Sequence, residues 1–355
     1  MFDKDNLTAL EAQKRASFIC YSPMIFQAVK TMLNLGIIDL LKKAGNNGMT
    51  IENIADEITI SKYGVRVLLH SALGAEVVYK KDNNYFLTKV GVFLVSKQLA
   101  SQIHINFVND VCYNGMFYLE DSIRNNKPEG LKVLGDWDTI YDGLQFLPPH
   151  IKKSWMDLDH YFSDISYEKA FTILNMDKFK TILDLGGNTG KFCRFLIKKL
   201  PNIEFTIADL PGQIEMAKIE MKNLKIDVSK VKFQELNVLD INTEISGKYD
   251  IIWMSQFLDC FHEDDIITIL EKCKIALNDD GIIFIQDAFW DRHRFEAGAF
   301  SLQQFSLYFT SMANGRSQMY DFDTFKKALE SVNLEILEIT DHIGRSNSLI
   351  KLKIK

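Results

Sequence analysis

No run of apolar residues in this chain approaches the roughly 20 that a membrane-crossing helix needs. The first residues, Met1-Phe2-Asp3-Lys4-Asp5, lack the basic-then-apolar order of a secretory leader. The expectation is a cytoplasmic chain with no membrane partner. A cationic excess is missing too, since 41 lysines and arginines face 47 acids for a formal net charge of −6. Nucleic-acid binding rests on clustered Lys and Arg, so no nucleic-acid partner is expected. The five cysteines form no C-x-x-C pair and sit in apolar contexts, which favours buried reduced thiols over metal ligands or disulfides. No metal is expected. No internal repeat or low-complexity tract is visible, and 47% apolar with 25% charged residues excludes disordered and fibrous classes.

What is present divides in two. A length of 355 residues favours two domains. In the first, Phe26, Val29, Leu33, Ile37 and Leu40 keep a helical period that Gly36 interrupts. Thr50 is placed as the N-cap of a short helix, and a second helix runs from about Lys62 to Leu73. Two strand-like runs then flank Asp82-Asn83, a hairpin signal. Three helices and a two-stranded wing make a winged helix, read either as a DNA-recognition module or as a dimerisation module. The acidic composition favours dimerisation, and the helices from Phe26 to Leu41, apolar on more than one face, predict a homodimer. The division predicted is 1–105 for this domain, 106–153 for a helical connector, and 154–355 for the second domain.

The second domain alternates strand and helix. Strands are predicted at Thr181-Ile-Leu-Asp-Leu, Glu204-Phe-Thr-Ile-Ala, Val231-Lys-Phe-Gln-Glu, Tyr249-Asp-Ile-Ile-Trp-Met and Gly281-Ile-Ile-Phe-Ile-Gln, with helices between them. The fold class is α/β, a Rossmann-like, mostly parallel sheet covered by helices on both faces. Ligands of such sheets lie beyond the carboxyl ends of the strands. There the chain places Asp184-Leu185-Gly186-Gly187-Asn188-Thr189-Gly190. Asn188 and Lys191 stand where the dinucleotide fingerprint needs glycines, and the G-K-[ST] ending of a phosphate-binding loop is absent. A strand-end acid followed by a glycine loop suits a ligand with an amino-acid moiety and a nucleoside. Asp209, at the tip of the next strand, can accept both ribose hydroxyls, or cap the helix that Pro211 opens.

Asp184-Leu-Gly-Gly-Asn-Thr-Gly followed by Ala208-Asp209-Leu210-Pro211 resembles the S-adenosylmethionine-binding half of the class I small-molecule O-methyltransferases. More narrowly it is similar to the group containing plant caffeic acid, bacterial polyketide and hydroxyindole enzymes, which also carry an N-terminal winged-helix dimerisation domain. The resemblance implies that Asp184 and Gly186 help bind the cofactor, that Gly187 lies against its methionine moiety, that Asp209 binds the ribose and that Leu210 packs on the adenine. It places Asn237 and Val238 beside the adenine, and Ser255 and Gln256 over the cofactor. The segment from Trp155 through His160 and Phe162 to Ser163 matches the family stretch between cofactor and acceptor.

The chain departs from the family at the base. Members that methylate hydroxyls carry Leu-His-Asp-Trp after the fourth strand, and here the run is Leu258-Asp259-Cys260-Phe261. Asp259 stands in the histidine's place, as a base or as a helix cap, and Asp287 matches the acid that orients the histidine. An aspartate near its ordinary pKa of about 3.9 is a poor base for a phenol unless burial raises it. His160 is the first candidate for a displaced base, against the alternative of a core histidine satisfied by Asp157 or Asp164. His262 is the second, against a solvated surface role. Trp155, Phe162, Phe300, Tyr308, Phe309, Met312 and Asn314 are the candidate acceptor pocket, or ordinary helix packing. The function expected is S-adenosylmethionine-dependent methyl transfer to a small aromatic or conjugated acceptor, with the hydroxyl favoured. The alternatives are methylation at an aromatic carbon, or a methyltransferase-like cofactor binder or winged-helix regulator without methyl transfer.

Overall fold

The computed structural model describes residues 4–97, 99–163, 165–174 and 179–355, and the chain divides into two compact units, Met1–Val108 and Asn109–Lys355. The first contains α1 (Ala9–Asn34), α2 (Ile37–Ala44), α3 (Ile51–Ile58), α4 (Lys62–Gly74), the hairpin β1 (Val78–Lys81) and β2 (Asn84–Leu87), α5 (Lys89–Leu94) and α6 (Ser101–Phe107). Helix α1 starts well before the periodic stretch at Phe26. Glu11 N donates to Thr8 Oγ1 at 3.3 Å while Thr8 N donates to the Glu11 carboxylate at 2.9 Å, a reciprocal cap. Gly36, at φ +75°, separates α1 from α2 in a conformation open to glycine. Thr50 caps α3 by accepting from Asn53 N at 3.1 Å. The Asp82-Asn83 turn pairs Lys81 with Asn84. Met32, Ile37, Leu41, Ile54, Leu69 and Tyr85 form the buried core of this unit, while Phe18, Ile19, Tyr21 and Met24 leave much of α1 apolar and exposed. Among the described residues no single helix is long and apolar enough to cross a membrane.

The second unit takes in most of the segment read as a connector, with α7 (Leu119–Asn125), α8 (Ile140–Gly143) and α9 (Pro149–Ser163), and continues with α10 (Tyr167–Leu174). Strands and helices then alternate: β3 (Thr181–Leu185), α11 (Lys191–Ile197), β4 (Glu204–Asp209), α12 (Pro211–Asn223), β5 (Val231–Glu235), β6 (Tyr249–Ser255), α13 (Glu263–Ala276) and β7 (Leu277–Ala288). Helices α14 (Glu296–Tyr308) and α15 (Phe322–Ser331) precede β8 (Leu334–Ile343) and β9 (Asn347–Ile354). The seven strands lie in the order β5-β4-β3-β6-β7-β9-β8, with β9 antiparallel to both neighbours and the rest parallel.

Alternate residues of each central strand feed two cores, one on each face. Leu183, Leu185, Ile252, Met254, Ile283 and Ile285 pack with α13 and α15. Ile182, Phe205, Ile207, Ile251, Trp253 and Phe284 pack with α10, α11 and α12. Burial on both faces is why these strands read as continuous apolar runs. The order of connection reverses between β3 and β6, and that reversal opens a crevice at the carboxyl ends of the parallel strands.

Candidate active site

Every sequence-predicted donor residue falls at those carboxyl ends. In the loop after β3, Gly186 (φ +76°), Asn188 (φ +47°) and Gly190 (φ +71°) all occupy the left-handed region, which lets the backbone double back on itself. A Cβ on Gly186 would stand 2.1 Å from the ring of Phe257. A Cβ on Gly187 would meet Asp184 Oδ2 and Ile207 Cγ2, each at 2.9 Å. At the tip of β4, Asp209 accepts from Asn188 N at 2.8 Å and from Leu210 N at 2.7 Å. The N-cap of α12 is Leu210, so Asp209 braces the glycine loop instead of capping that helix. Burial pushes its carboxyl up to about 6 against the pull of those two amides. Asp184 is more deeply buried, and burial with the nearby Asp209 pushes it up to about 7.

Around this loop several buried polar atoms have no hydrogen-bond partner: Asp184 Oδ2, Asn188 Oδ1 and Gln256 Oε1. Orphaned buried acceptors are costly, and three at one crevice are what a ligand bearing an ammonium group and hydroxyls would satisfy. Ser255 accepts from Gln286 Nε2 at 2.9 Å, and Gln256 N donates to Gln286 O at 2.8 Å from a backbone at φ +50°. Val238 is buried. Asn237 is exposed, and its side chain accepts from Leu239 N at 3.1 Å, so in this structure its amide shapes the turn after β5.

The residues read as catalytic separate into two groups. Asp259 (5% exposed) and Asp287 (1% exposed) lie together at the ends of β6 and β7. Asp259 accepts from Cys260 Sγ at 3.5 Å. Neither oxygen of Asp287 makes a hydrogen bond of good geometry, although the amides of Phe257, Leu258 and Gln256 lie on its side and draw it down. Burial pushes Asp259 up to about 6, and burial with the charge of Asp259 pushes Asp287 well above the carboxylate range. His262 stands apart. It is the N-cap of α13, with Nδ1 accepting from Asp264 N at 3.4 Å and Nε2 lying 3.1 Å from Glu263 Oε2. His160, half-buried in α9, has Nε2 at 3.9 Å from Asp159 Oδ2. Of the partners expected for it, Asp157 is engaged by Lys153, and Asp164 lies outside the described residues.

Four of the predicted acceptor residues are brought together. Trp155 Nε1 donates to Tyr308 OH at 2.7 Å in a buried contact, the ring of Phe309 lies tilted against Tyr308 with centroids 5.3 Å apart, and Met312 is fully buried in the same short helical turn as Phe309. Phe162 pairs with Tyr161 at 5.1 Å on α9. Asn314 is saturated: its amide donates to Cys260 O and its Oδ1 accepts from Arg316 N, Ser317 N and Ser317 Oγ. Phe300 is 56% exposed on α14 and does not join the group. Sequence reasoning missed Tyr141. It lies in the stretch read as connector, with no motif to mark it, yet its buried hydroxyl, which makes no hydrogen bond of good geometry, lies beside the Cys260 thiol and near Asp259 and Tyr308. Among the described residues no group of three or more His, Cys, Asp and Glu side chains is placed to hold a metal ion.

Residues 117–328 match the family described as the O-methyltransferase domain, and residues 13–85 match the Dimerisation2-like domain. The chain belongs to the O-methyltransferase domain family. That makes it an S-adenosylmethionine-dependent methyltransferase. It is similar to the probable bifunctional dTTP/UTP pyrophosphatase/methyltransferase protein of Homo sapiens, 25% identical over 197 residues that span 55% of this chain and 31% of that protein. It is also similar to the L-tyrosine C(3)-methyltransferase of Streptomyces lavendulae, 20% identical over 317 residues, 88% of this chain and 84% of that one. In fold it matches the crystal structure of human N-acetylserotonin methyltransferase in complex with SAM, with a TM-score of 0.67 at 16% identity, covering all of this chain and 99% of that one.

Proposed function

We propose that this chain transfers a methyl group to a hydroxyl on a small aromatic or conjugated acceptor, working as a homodimer in the cytoplasm. The observation that carries the reading is the crevice where Asp184 Oδ2, Asn188 Oδ1 and Gln256 Oε1 lie buried without partners around the glycine loop and Asp209. These residues fit S-adenosylmethionine. Asp184 would face its ammonium group, Gly186 and Gly187 its methionine backbone, and Asp209 its ribose. Leu210, Val238 and Asn237 would border the adenine, with Ser255 and Gln256 closing over it. When bound, the donor supplies an already activated methyl group, so the protein's work is alignment and exclusion of water.

The buried wall of Trp155, Tyr308, Phe309 and Met312, with Phe162 on α9, suits a flat ring. Asn314 supports the reading differently from the sequence expectation, as the tie that holds Cys260 and hence the Asp259 turn. Methylation at an aromatic carbon is the second reading. It is favoured by the absence of the histidine at position 259 and by the long match to an L-tyrosine C(3)-methyltransferase.

The deciding experiment is incubation of the full chain with methyl-labelled S-adenosylmethionine and a native small-molecule extract, with the label located by mass spectrometry. Label on an aromatic ether oxygen supports the first reading, and label on a ring carbon the second. No transfer, together with no binding of S-adenosylhomocysteine, rejects both.

A further inference from the structure

We propose that Asp259 and Asp287 work as a proton-sharing pair in which Asp259 takes the proton of the acceptor's hydroxyl, and that the acceptor is a phenol or enol acidified by conjugation. The proposal rests on the methyl-transfer reading above. It starts from two carboxyl groups, 5% and 1% exposed, at the ends of adjacent strands β6 and β7, where Gln256 N, three residues before Asp259, donates at 2.8 Å to the carbonyl of Gln286, the residue before Asp287. Two like charges so close in a dry site cannot both ionise, so the pair holds one proton between them near neutral pH.

The groups that face the pair set its charge. On the turn itself stand the Cys260 thiol and the amides of Gln256, Phe257 and Leu258. From α8 comes Tyr141, and from the segment before α15 comes Tyr320, whose hydroxyl is used in donating to Phe261 O at 2.7 Å. Burial holds the thiol and both phenols above their ordinary ranges, so all three are neutral at pH 7. No cation is among these groups. The pair therefore presents a single negative charge, held by backbone amides of poor geometry and by the Cys260 thiol, while the Tyr141 hydroxyl has no partner better than that same thiol. An acceptor hydroxyl is the partner that supplies what is missing: a donor to the carboxylate and an oxygen to receive the Tyr141 O–H.

Which carboxyl does which follows from burial. Asp287, the more enclosed of the two, keeps the shared proton; Asp259, also raised by burial, carries the pair's charge and is free to accept another. In the step proposed, the acceptor's O–H bond breaks and its electron pair stays on the acceptor oxygen, while the proton forms a new O–H bond on Asp259. The pair ends fully protonated and neutral. Asp259 is then the catalytic residue and Asp287 a positioning residue that sets its charge. A base titrating near 6 is some four pH units short of an ordinary phenol, which titrates near 10. A hydroxyl conjugated with a carbonyl or carried on an electron-poor ring closes that gap, and this selects the substrate class.

Three measurements on the full chain test the pair. Infrared pH-difference spectra of the donor-free Asp184→Asn protein, which lacks the other carboxyl raised to about 7, should show a protonated carboxyl band at pH 7 that adding Asp287→Asn removes; the absence of that band before Asp287 is replaced overturns the shared proton. Label transfer should fall at least 100-fold in Asp259→Asn, the range a lost general base spans, with S-adenosylhomocysteine affinity held within twofold. In Asp287→Asn the acid limb of the pH profile should move. Full transfer by Asp259→Asn overturns the base assignment, and loss of transfer in His160→Ala instead moves the base to His160. Among nitrophenol, hydroxynaphthoquinone and plain phenol probes, the acidified hydroxyls should react faster; preference for plain phenol rejects the substrate class. If wild type binds no S-adenosylhomocysteine, the methyl-transfer reading fails, while the infrared arm still decides the pair.

Discussion

Asn188 Nδ2 donates to Asp159 Oδ2 at 3.3 Å, joining the glycine loop after β3 to helix α9. The same residue's N–H braces Asp209 at 2.8 Å, from a backbone at φ +47°. Asparagine is one of the few side chains that adopts this conformation cheaply, so a single position serves both donor loop and acceptor helix. Two substitutions separate backbone from side chain. Asn188→Gly keeps the conformation and loses the tie, and should change stability by less than about 1 kcal/mol. Asn188→Val loses both and should cost about 1–3 kcal/mol, the usual price of forcing a branched residue into this region. Denaturant melts check the difference, and equal stability of the two variants would remove the backbone argument. In calorimetry both should also weaken S-adenosylhomocysteine binding, since each removes Asn188 Oδ1 from the crevice.

The donor assignment is tested at Gly187 and Asp209. A Cβ at 187 already meets Asp184 and Ile207 at 2.9 Å, so Gly187→Val should abolish binding of S-adenosylhomocysteine. Asp209→Ala removes the carboxylate assigned to the ribose and should weaken binding by roughly 1.5–3 kcal/mol, as for lost hydrogen bonds to a charged group. Calorimetry with equal affinities in wild type and both variants would refute the assignment.

The site was legible in the sequence where backbone geometry dictates residue type. The Gly186-Gly187 pair, the acid at the tip of β4 and the turn of Asp82-Asn83 are positions where few residues fit, and each lies where the pattern put it. The antiparallel pair β8 and β9 escaped because its residues alternate with exposed charges such as Glu335, Glu338 and Lys353, which dilute the apolar signal. Helix α1 was recognised only from its buried end, because its amino-terminal half keeps an exposed apolar face with no core period. Tyr141 and the Trp155–Tyr308 bond could not be found from one sequence, since they join residues far apart in the chain through side-chain contacts that leave no local pattern. His262, the second candidate base, sits just outside the helix as the N-cap of α13, which begins at Glu263.

The exposed face of α1 carries the dimer proposal. Ile19 is 72% exposed and Met24 70%, with Phe18 and Tyr21 beside them; so much apolar surface on one helix is characteristic of a partner-binding face. Light scattering should find a dimer at micromolar concentration, and Ile19→Lys with Met24→Lys should give a monomer with the circular dichroism of the parent. A wild type that is monomeric under these conditions would count against the homodimer.

The last prediction concerns Asp184 and the pH dependence of stability. Its carboxyl titrates near 7 in the folded chain because of burial and the neighbouring Asp209, against about 3.9 when unfolded. Below pH 4 the group is protonated in both states and imposes no penalty. As pH rises the unfolded chain ionises first, so the folded state loses stability progressively up to and through pH 7. Asp184→Asn removes the ionisation while keeping the shape. The two proteins, free of donor, should melt together at pH 4, and at pH 8 the asparagine variant should be more stable by roughly 4 kcal/mol, three pKa units at about 1.4 kcal/mol each. Saturation with S-adenosylhomocysteine should narrow or reverse that difference, because a bound ammonium group stabilises the carboxylate and not the amide. A donor-free Asp184→Asn protein no more stable than wild type at pH 8 would mean that burial does not disfavour the ionised carboxyl, and the buried, unpaired acid would lose its place as the ammonium site.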